Sequence, residues 1–172
     1  LCSACGRSSA SHGSVTGVVP LFSIVTPVYE PPLDVLAATI ESVLAQEFED
    51  WEWILVDDLS PSESVRDLIR THAEADERIT LVERTTNGHI VAATNDAVER
   101  ARGRFLVFLD HDDLLTPDAL SANAEVIEGN PRVDYIYSDE DKVAEDGTFY
   151  GRFHKPVWSP ERLRGQMYTS HL

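Results

Sequence analysis

Eight carboxylates stand in three short clusters, each directly behind an apolar run. Asp57 and Asp58 follow "EWILV" (52–56), Asp110, Asp112 and Asp113 close or follow "RFLVFL" (104–109), and Asp139, Glu140 and Asp141 follow "VDYIYS" (133–138). One acid behind a strand is ordinary, because Asp accepts hydrogen bonds from turn and helix-start N–H groups. Eight on one rim are costly, since like charges a few ångströms apart raise each other's pKa and oppose folding. A divalent cation removes that cost. Oxygen ligands with no Cys or His cluster beside them suit Mg2+ or Mn2+. Such ions are typically held by one or two carboxylates together with substrate phosphates, so a phosphorylated ligand is expected. The chain contains neither G-x-x-x-x-G-K-[ST] nor G-x-G-x-x-G, which leaves the phosphate charge to the cation. A diphosphate leaving group stabilised by a Lewis-acid metal fits that shortage. The bland alternative is an interaction domain with solvated acids, and it predicts no metal dependence.

The eight acids share a rim only if the strands before them run parallel. "FSIVT" (22–26), "EWILV" (52–56), "ITLVE" (79–83), "RFLVFL" (104–109) and "VDYIYS" (133–138) are short runs rich in strand formers. Helical spacing separates them. Leu36, Ile40, Val43 and Leu44 mark a first helix, and Val65, Leu68, Ile69 and His72 a second, with Ser60 as N-cap, Pro61 at the first helical position and Glu63 closing a capping box. A third helix spans 89–102 with Ile90, Ala93, Ala97 and Ala101 inward, and Gly103 stops it. Thr116-Pro117 start a fourth, ended by "GNP" (129–131). The 104–109 run is apolar almost throughout, as a strand covered on both faces should be. This alternation specifies an α/β fold with a mainly parallel sheet and helices on both faces. In such sheets ligands bind at the carboxyl ends of the strands, where the acids fall.

At 172 residues the chain suits one domain, read as 20–172 behind a Ser- and Gly-rich flexible leader at 1–19. Cys2 and Cys5 form one C-x-x-C with only His12 nearby, a weak basis for zinc. The formal charge of −16, from 30 Asp and Glu against 14 Lys and Arg, argues against a nucleic-acid surface, which needs a basic stripe. A receiver-like regulator would need a phosphoacceptor Asp after the third strand, where this chain has Glu83-Arg84.

From residue 20 to 172 the chain resembles a family 2 glycosyltransferase of the GT-A fold. The resemblance rests on "FSIVTPVYE", "WILVDDLSPSES", "NGHIVAATNDAVERARG" and "FLDHDDLLTPDAL", in that order. "YSDEDKV" and "HKPVWSPERL" are similar to a subgroup of O-antigen and cell-surface polysaccharide synthesis. The resemblance implies a nucleotide-diphosphate sugar donor, UDP- or dTDP-linked. It places Pro27, Tyr29 and Glu30 beside the base, Glu30 standing where the family often has Asn. Asp58 would bond the base edge, Asp57 would support its loop, and Asp110 would point toward the ribose. Asp112 would hold the metal that bridges the diphosphate, with Asp110 and Asp113 sharing that role because the motif here is D-x-D-D. Asp139, Glu140 and Asp141 would approach the sugar. His111 is read as a spacer with its side chain turned away. Asn87 and His89 fall where the family's loop nears the nucleotide, though a helix-starting turn explains them equally. Arg84, Arg102 and Arg104 could help hold phosphate, with solvated surface the default, and Trp51, Trp53 and Trp158 read as packing residues, Trp158 beside Pro156 fitting a sugar-stacking platform equally.

The implied reaction is a single in-line displacement at the anomeric carbon with inversion, onto a hydroxyl of a saccharide or lipid-linked acceptor. A carboxylate would take the hydroxyl proton, and in this family it usually comes from an acidic motif well downstream of D-x-D. The chain ends at Leu172 before any such motif, so no catalytic base is assigned. It is expected to be a donor-binding part, incomplete at its C-terminus and inactive alone. A non-catalytic nucleotide-sugar-binding module is the alternative, distinguished by binding without transfer when the downstream half is supplied. With no apolar run near the ~18 residues of a membrane span and no secretory signal pattern, a cytoplasmic placement is expected, peripheral at the membrane if the acceptor is lipid-linked.

Overall fold

The alternation of apolar runs and helical periods resolves, in the computed structural model, into β1 (Phe22–Val28), α1 (Leu33–Leu44), β2 (Trp51–Asp57), α2 (Glu63–Ala75), β3 (Ile79–Glu83), α3 (His89–Val98), β4 (Phe105–Phe108), α4 (Ala119–Gly129), β5 (Glu140–Val143), β6 (Phe149–Phe153) and α5 (Pro160–Gly165). The structure describes residues 19–144 and 146–169. The leader assigned to 1–19, with Cys2, Cys5 and His12, therefore lies outside the described residues except for Val19.

Strands β1 to β4 form one parallel sheet in the order β3-β2-β1-β4. The chain steps outward from β1 to β2 to β3, then returns across the sheet to the far side of β1. Right-handed crossovers put helices of opposite step direction on opposite faces. Accordingly Ile24, Trp53, Leu55 and Val107 face Leu36, Ile40, Val65, Ile69 and Leu120 of α1, α2 and α4. On the other face Val25, Ile54 and Val56 meet Ala93 and Ala97 of α3. The two alanines let that helix lie close to the sheet.

Several sequence expectations need correction. Residues 133–138 form no strand; Val133 and Ile136 pack against the main core, and Tyr135 and Tyr137 join Trp158 and Tyr168 in an aromatic cluster. The strand lies later, in β5, which pairs antiparallel with β6 in a separate two-stranded sheet. Strand β4 is covered on one face only. It is the sheet edge, α3 packs on β1 and β2 instead, and Leu106 and Phe108 stay exposed. Ile90 is 60% exposed rather than inward, and α3 ends at Val98. The N-cap of α2 is Ser62, whose hydroxyl accepts from Val65 N; Ser60 is buried and its hydroxyl accepts from Glu30 N.

Candidate functional site

Parallel register aligns the carboxyl ends of the strands: Val28 pairs with Asp57, Asp57 with Glu83, and Val25 with Phe108. The loops that leave these ends therefore meet at one rim. Because the strand order reverses between β1 and β4, the loops beyond these two diverge and leave a crevice, the expected ligand position in an open sheet. A cavity of about 400 Å3 occupies it. Pro27, Val28 and Tyr29 of the β1 end form one wall, and Asp110, His111 and Asp112 behind β4 form another. Asp58 lines the cavity beyond β2, and Asn87, His89, Ile90 and Ala93 close it from α3 and the loop before it.

Asp58 is 2% exposed and engaged on both oxygens. Its Oδ1 accepts from Arg84 Nε and from Gly88 N, each at 2.9 Å, and its Oδ2 lies 3.1 Å from Gly88 N. Arg84 in turn pairs with Asp96 of α3, and Asn87 Nδ2 donates to the Asp58 carbonyl at 3.0 Å. Gly88 is needed for this close fit, since a side chain there would meet the Arg84 guanidinium at 2.6 Å and Ala92 Cβ at 2.8 Å. Next to it His89 takes a left-handed φ of 63°, uncommon for a residue with a side chain. The sequence pattern reads Arg84 as solvated surface. The signal that could have found it is its place directly after β3, one strand over from Asp58.

Asp110 and Asp112 flank a tight turn. His111 is no outward spacer: it is among the residues lining the cavity and its Nδ1 lies 3.1 Å from the Pro27 carbonyl. Its own carbonyl accepts from Thr39 Oγ1 of α1 at 2.9 Å. A polar row continues along and just past this helix, with Ser42 Oγ accepting from Leu115 N and Gln46 bonding the Thr116 carbonyl and Leu120 N.

Five candidates do not line the cavity together with these, and Asp113 makes a sixth. Glu30 turns toward α2, its Oε2 accepting from Ser62 N at 2.9 Å. Asp57 is buried and its Oδ1 accepts from Ser60 N at 3.0 Å, bracing the loop. Asp113 lies beyond the turn, its N–H donating to the Asp110 carbonyl at 3.3 Å. The acids placed toward the sugar lie at β5 and are paired across the hairpin. Asp139 bonds His154 Nδ1 and Lys155 N, both at 2.7 Å, while Glu140 meets Lys155 Nζ at 3.1 Å and Asp141 meets Arg152 Nε at 3.2 Å. The hydrogen bond from His154 holds the Asp139 carboxyl below its usual range. The cost that eight close acids would bear is therefore relieved locally, by basic partners and N–H donors, for Asp57, Asp58 and the three at the hairpin. Asp110 and Asp112 are the two that line the cavity from behind β4.

A resident divalent cation is tested by the donor set. Among the described residues no cluster of three or more His, Cys, Asp or Glu side chains is arranged to hold a metal. Two neighbouring carboxylates fit a cation that takes its other ligands from substrate phosphates, and they do not fit an all-protein cage. Among the described residues none of the cavity-lining side chains is Lys or Arg.

Residues 23–170 match the family described as Glycosyl transferase family 2. An uncharacterized protein of Sinorhizobium fredii is 46% identical over 89% of this chain and 17% of its own length. The O-antigen biosynthesis protein RfbC of Myxococcus xanthus is 37% identical over 89% of this chain and 12% of its own. The chain thus spans less than a fifth of either relative. Among solved structures, TarS 1–349 of S. aureus in complex with UDP-GlcNAc superposes with a TM-score of 0.56 at 23% identity, covering 64% of this chain and 32% of that one. A mannosyltransferase of Pyrobaculum calidifontis in complex with GDP-Man and Mn2+ gives the same TM-score and identity, over 64% of this chain and 33% of that one. At these identities the two structures speak for the fold.

Proposed function

Because this chain belongs to glycosyl transferase family 2, we propose that its cavity binds the nucleoside diphosphate of an activated sugar, as the donor half of an inverting transferase for cell-surface polysaccharide. The observation that carries this is the meeting of Tyr29, Asp58, Asp110 and Asp112 around one crevice at the strand-order reversal. Supporting it, one similar structure holds UDP-GlcNAc, another holds GDP-Man with Mn2+, and a relative is named for O-antigen biosynthesis. GDP therefore joins UDP and dTDP among the donors to test.

Asp110 and Asp112 would hold the divalent cation, which when bound supplies positive charge against the diphosphate as it leaves. The chain's own part is placement. Tyr29 and Pro27 flank the crevice where a flat base would lie, and the Arg84–Asp58–Gly88 network fixes the loop on the opposite wall. A hydroxyl of a saccharide or lipid-linked acceptor would attack the anomeric carbon from the open side, its proton going to a carboxylate outside the cavity lining. Among the described residues no helix is long and apolar enough to cross a membrane; a lipid-linked acceptor would bring the chain to the bilayer surface.

The test is calorimetric titration of UDP, dTDP and GDP into the chain, with Mn2+ and again with EDTA. Asp112→Ala is expected to weaken Mn2+-dependent binding by about a hundredfold while leaving the thermal midpoint within a few degrees, since its side chain is exposed. Equal affinity for wild type and variant would sink the assignment.

A further inference from the structure

Strand β1 carries Pro27 near its carboxyl end, one ladder step beyond the bond from Leu109 N to the Val25 carbonyl. Backbone groups of alternate residues point to the same side of a strand. Leu109 N donates to the Val25 carbonyl at 3.2 Å, so Val25 faces β4, while Asp58 N donates to the Val28 carbonyl, which faces β2. Pro27, two residues beyond Val25, therefore aims its carbonyl toward β4. In a continued ladder that carbonyl would receive a backbone N–H from β4, but β4 ends at Phe108 and the chain turns away at this level. The acceptor is taken by a side chain instead: His111 Nδ1 lies 3.1 Å from it. A carbonyl oxygen carries no proton, so the nitrogen must be the donor. Both the Nδ1–H tautomer and the imidazolium satisfy this.

The backbone of the same residue is held from the opposite side. Thr39 is fully buried on α1, and its hydroxyl reaches the His111 carbonyl at 2.9 Å, closer than the 3.2 Å to the Val35 carbonyl in its own helix. His111 is thus gripped by the central strand through its ring and by a core helix through its backbone. Its neighbours on either side, Asp110 and Asp112, both line the cavity. Two anchors on the middle residue of a turn fix its backbone, and with it the directions in which the flanking side chains leave the chain.

We propose that His111 is a positioning residue whose Nδ1–H takes the place, at the Pro27 carbonyl, of the ladder N–H that β4 no longer supplies and, with Thr39 on its carbonyl, aims Asp110 and Asp112 into the cavity. The proposal rests on the donor-site reading for what those carboxylates hold, but the anchor itself exists in the ligand-free chain.

The first arm of the test uses the free protein. Long-range 1H–15N correlation spectra of 15N-histidine protein, with His111→Asn used to assign the signals, should show His111 protonated at Nδ1. Protonation at Nε2 alone overturns the proposal whatever binds. The second arm measures UDP and GDP affinity with Mn2+ for three variants. Asn carries a donor where His has Nδ1, and Gln carries one where His has Nε2. His111→Asn should stay within about twofold of wild type, while His111→Ala and His111→Gln should bind about five- to tenfold more weakly, the scale of one lost hydrogen bond. Thr39→Val, which keeps shape and deletes the hydroxyl, should fall between them. Thermal melts of each variant separate lost aim from lost folding, because the Asn rescue must restore affinity at an unchanged midpoint. Affinity equal in all variants, or Asn as weak as Ala, overturns the positioning role. If wild type binds neither nucleotide while His111 is Nδ1-protonated, the donor reading fails and the anchor stands.

Discussion

Far from the cavity, at the amino ends of the strands, one buried carboxylate shows what a satisfied acid costs and contributes. Glu52 accepts from Ser23 Oγ at 2.7 Å, from Arg102 N at 2.6 Å and from Arg102 Nε at 2.8 Å. Ser23 Oγ also receives Gly103 N at 2.7 Å, so this cluster ties the start of β4 to β1 and β2. No side chain fits at Gly103, where a Cβ would lie 2.6 Å from Ser23 N. Burial pushes the Glu52 carboxyl up, but the bonds from Ser23 and Arg102 more than offset it, and the net shift is downward. A carboxyl with a lower pKa folded than unfolded contributes stability that is complete above its unfolded value and lost as pH falls through the folded one. Wild type should therefore lose stability below about pH 4.5 more steeply than Glu52→Gln, which cannot titrate. At pH 7 the variant should cost about 2 kcal/mol, for bonds to a charged group exchanged for neutral ones. Urea denaturation from pH 7 to pH 3 checks both; parallel pH profiles would remove Glu52 from the account. Arg102 is another residue that composition reads as solvated surface and that the fold uses as a partner.

Helix α4 illustrates how an element is finished by residues far away in sequence. Asp118 stands at its N-cap but makes no side-chain cap bond. Gln46, just past α1, does the task instead: its Oε1 accepts from Leu120 N at 3.0 Å, and its Nε2 donates to the Thr116 carbonyl at 2.7 Å and to the Ser42 carbonyl at 3.0 Å. Gln46→Ala should cost about 1–2 kcal/mol, the range for a lost helix cap with an additional buried bond. Hydrogen exchange should show the loss concentrated at the start of α4; an even loss across the sheet would mean the cap is not what Gln46 supplies. No propensity scale finds such a cap, because nothing local to Leu120 announces it. The same limit explains what the sequence hid elsewhere. Four parallel strands were legible because each is a dense apolar run. Residues 133–138 have the same alternation, yet side-chain periodicity records which side is apolar and says nothing of whether a partner strand is present to complete a ladder. Here Tyr135 and Tyr137 pack in tilted and edge-on contacts with Trp158 and Tyr168. At the site, Asp110 and Asp112 were readable from their position behind a strand. His111 was not, and Arg84 only through its place directly after β3, since their tasks are set by the Pro27 carbonyl and by Asp58, contacts that exist only once β1 to β4 are in register.

Over the whole chain, 30 acids against 14 basic residues leave a formal charge of −16, and pairing at the hairpin and along α2 does not change that sum. Charge of one sign on a compact body repels itself, and salt screens the repulsion over a Debye length that shrinks from about 30 Å at 0.01 M to about 8 Å at 0.15 M. The folded state is the more compact of the two and gains more from screening. Raising NaCl from about 0.02 M to about 0.3 M should therefore raise the thermal midpoint; relief of about 1 kcal/mol corresponds to about 3 °C in a domain of this size. The ion pairs Arg70–Glu63 and Arg70–Glu83 work in the opposite direction, since exposed pairs weaken with salt, but each is worth less than about 1 kcal/mol. The same field acts on the ligand. A metal-free nucleoside diphosphate approaches a negative body through a cavity whose lining holds Asp58, Asp110 and Asp112 and no Lys or Arg among the described residues. Its affinity should rise with salt, opposite to the usual trend for a phosphate ligand held by basic side chains. With Mn2+ present the ligand arrives largely neutralised, and affinity should change little over the same range. Titrations of UDP at both salt concentrations, with Mn2+ and with EDTA, read the two slopes directly. A metal-free affinity that falls with salt would mean that basic side chains hold the phosphates, and the division of labour between acids and cation would have to be reversed.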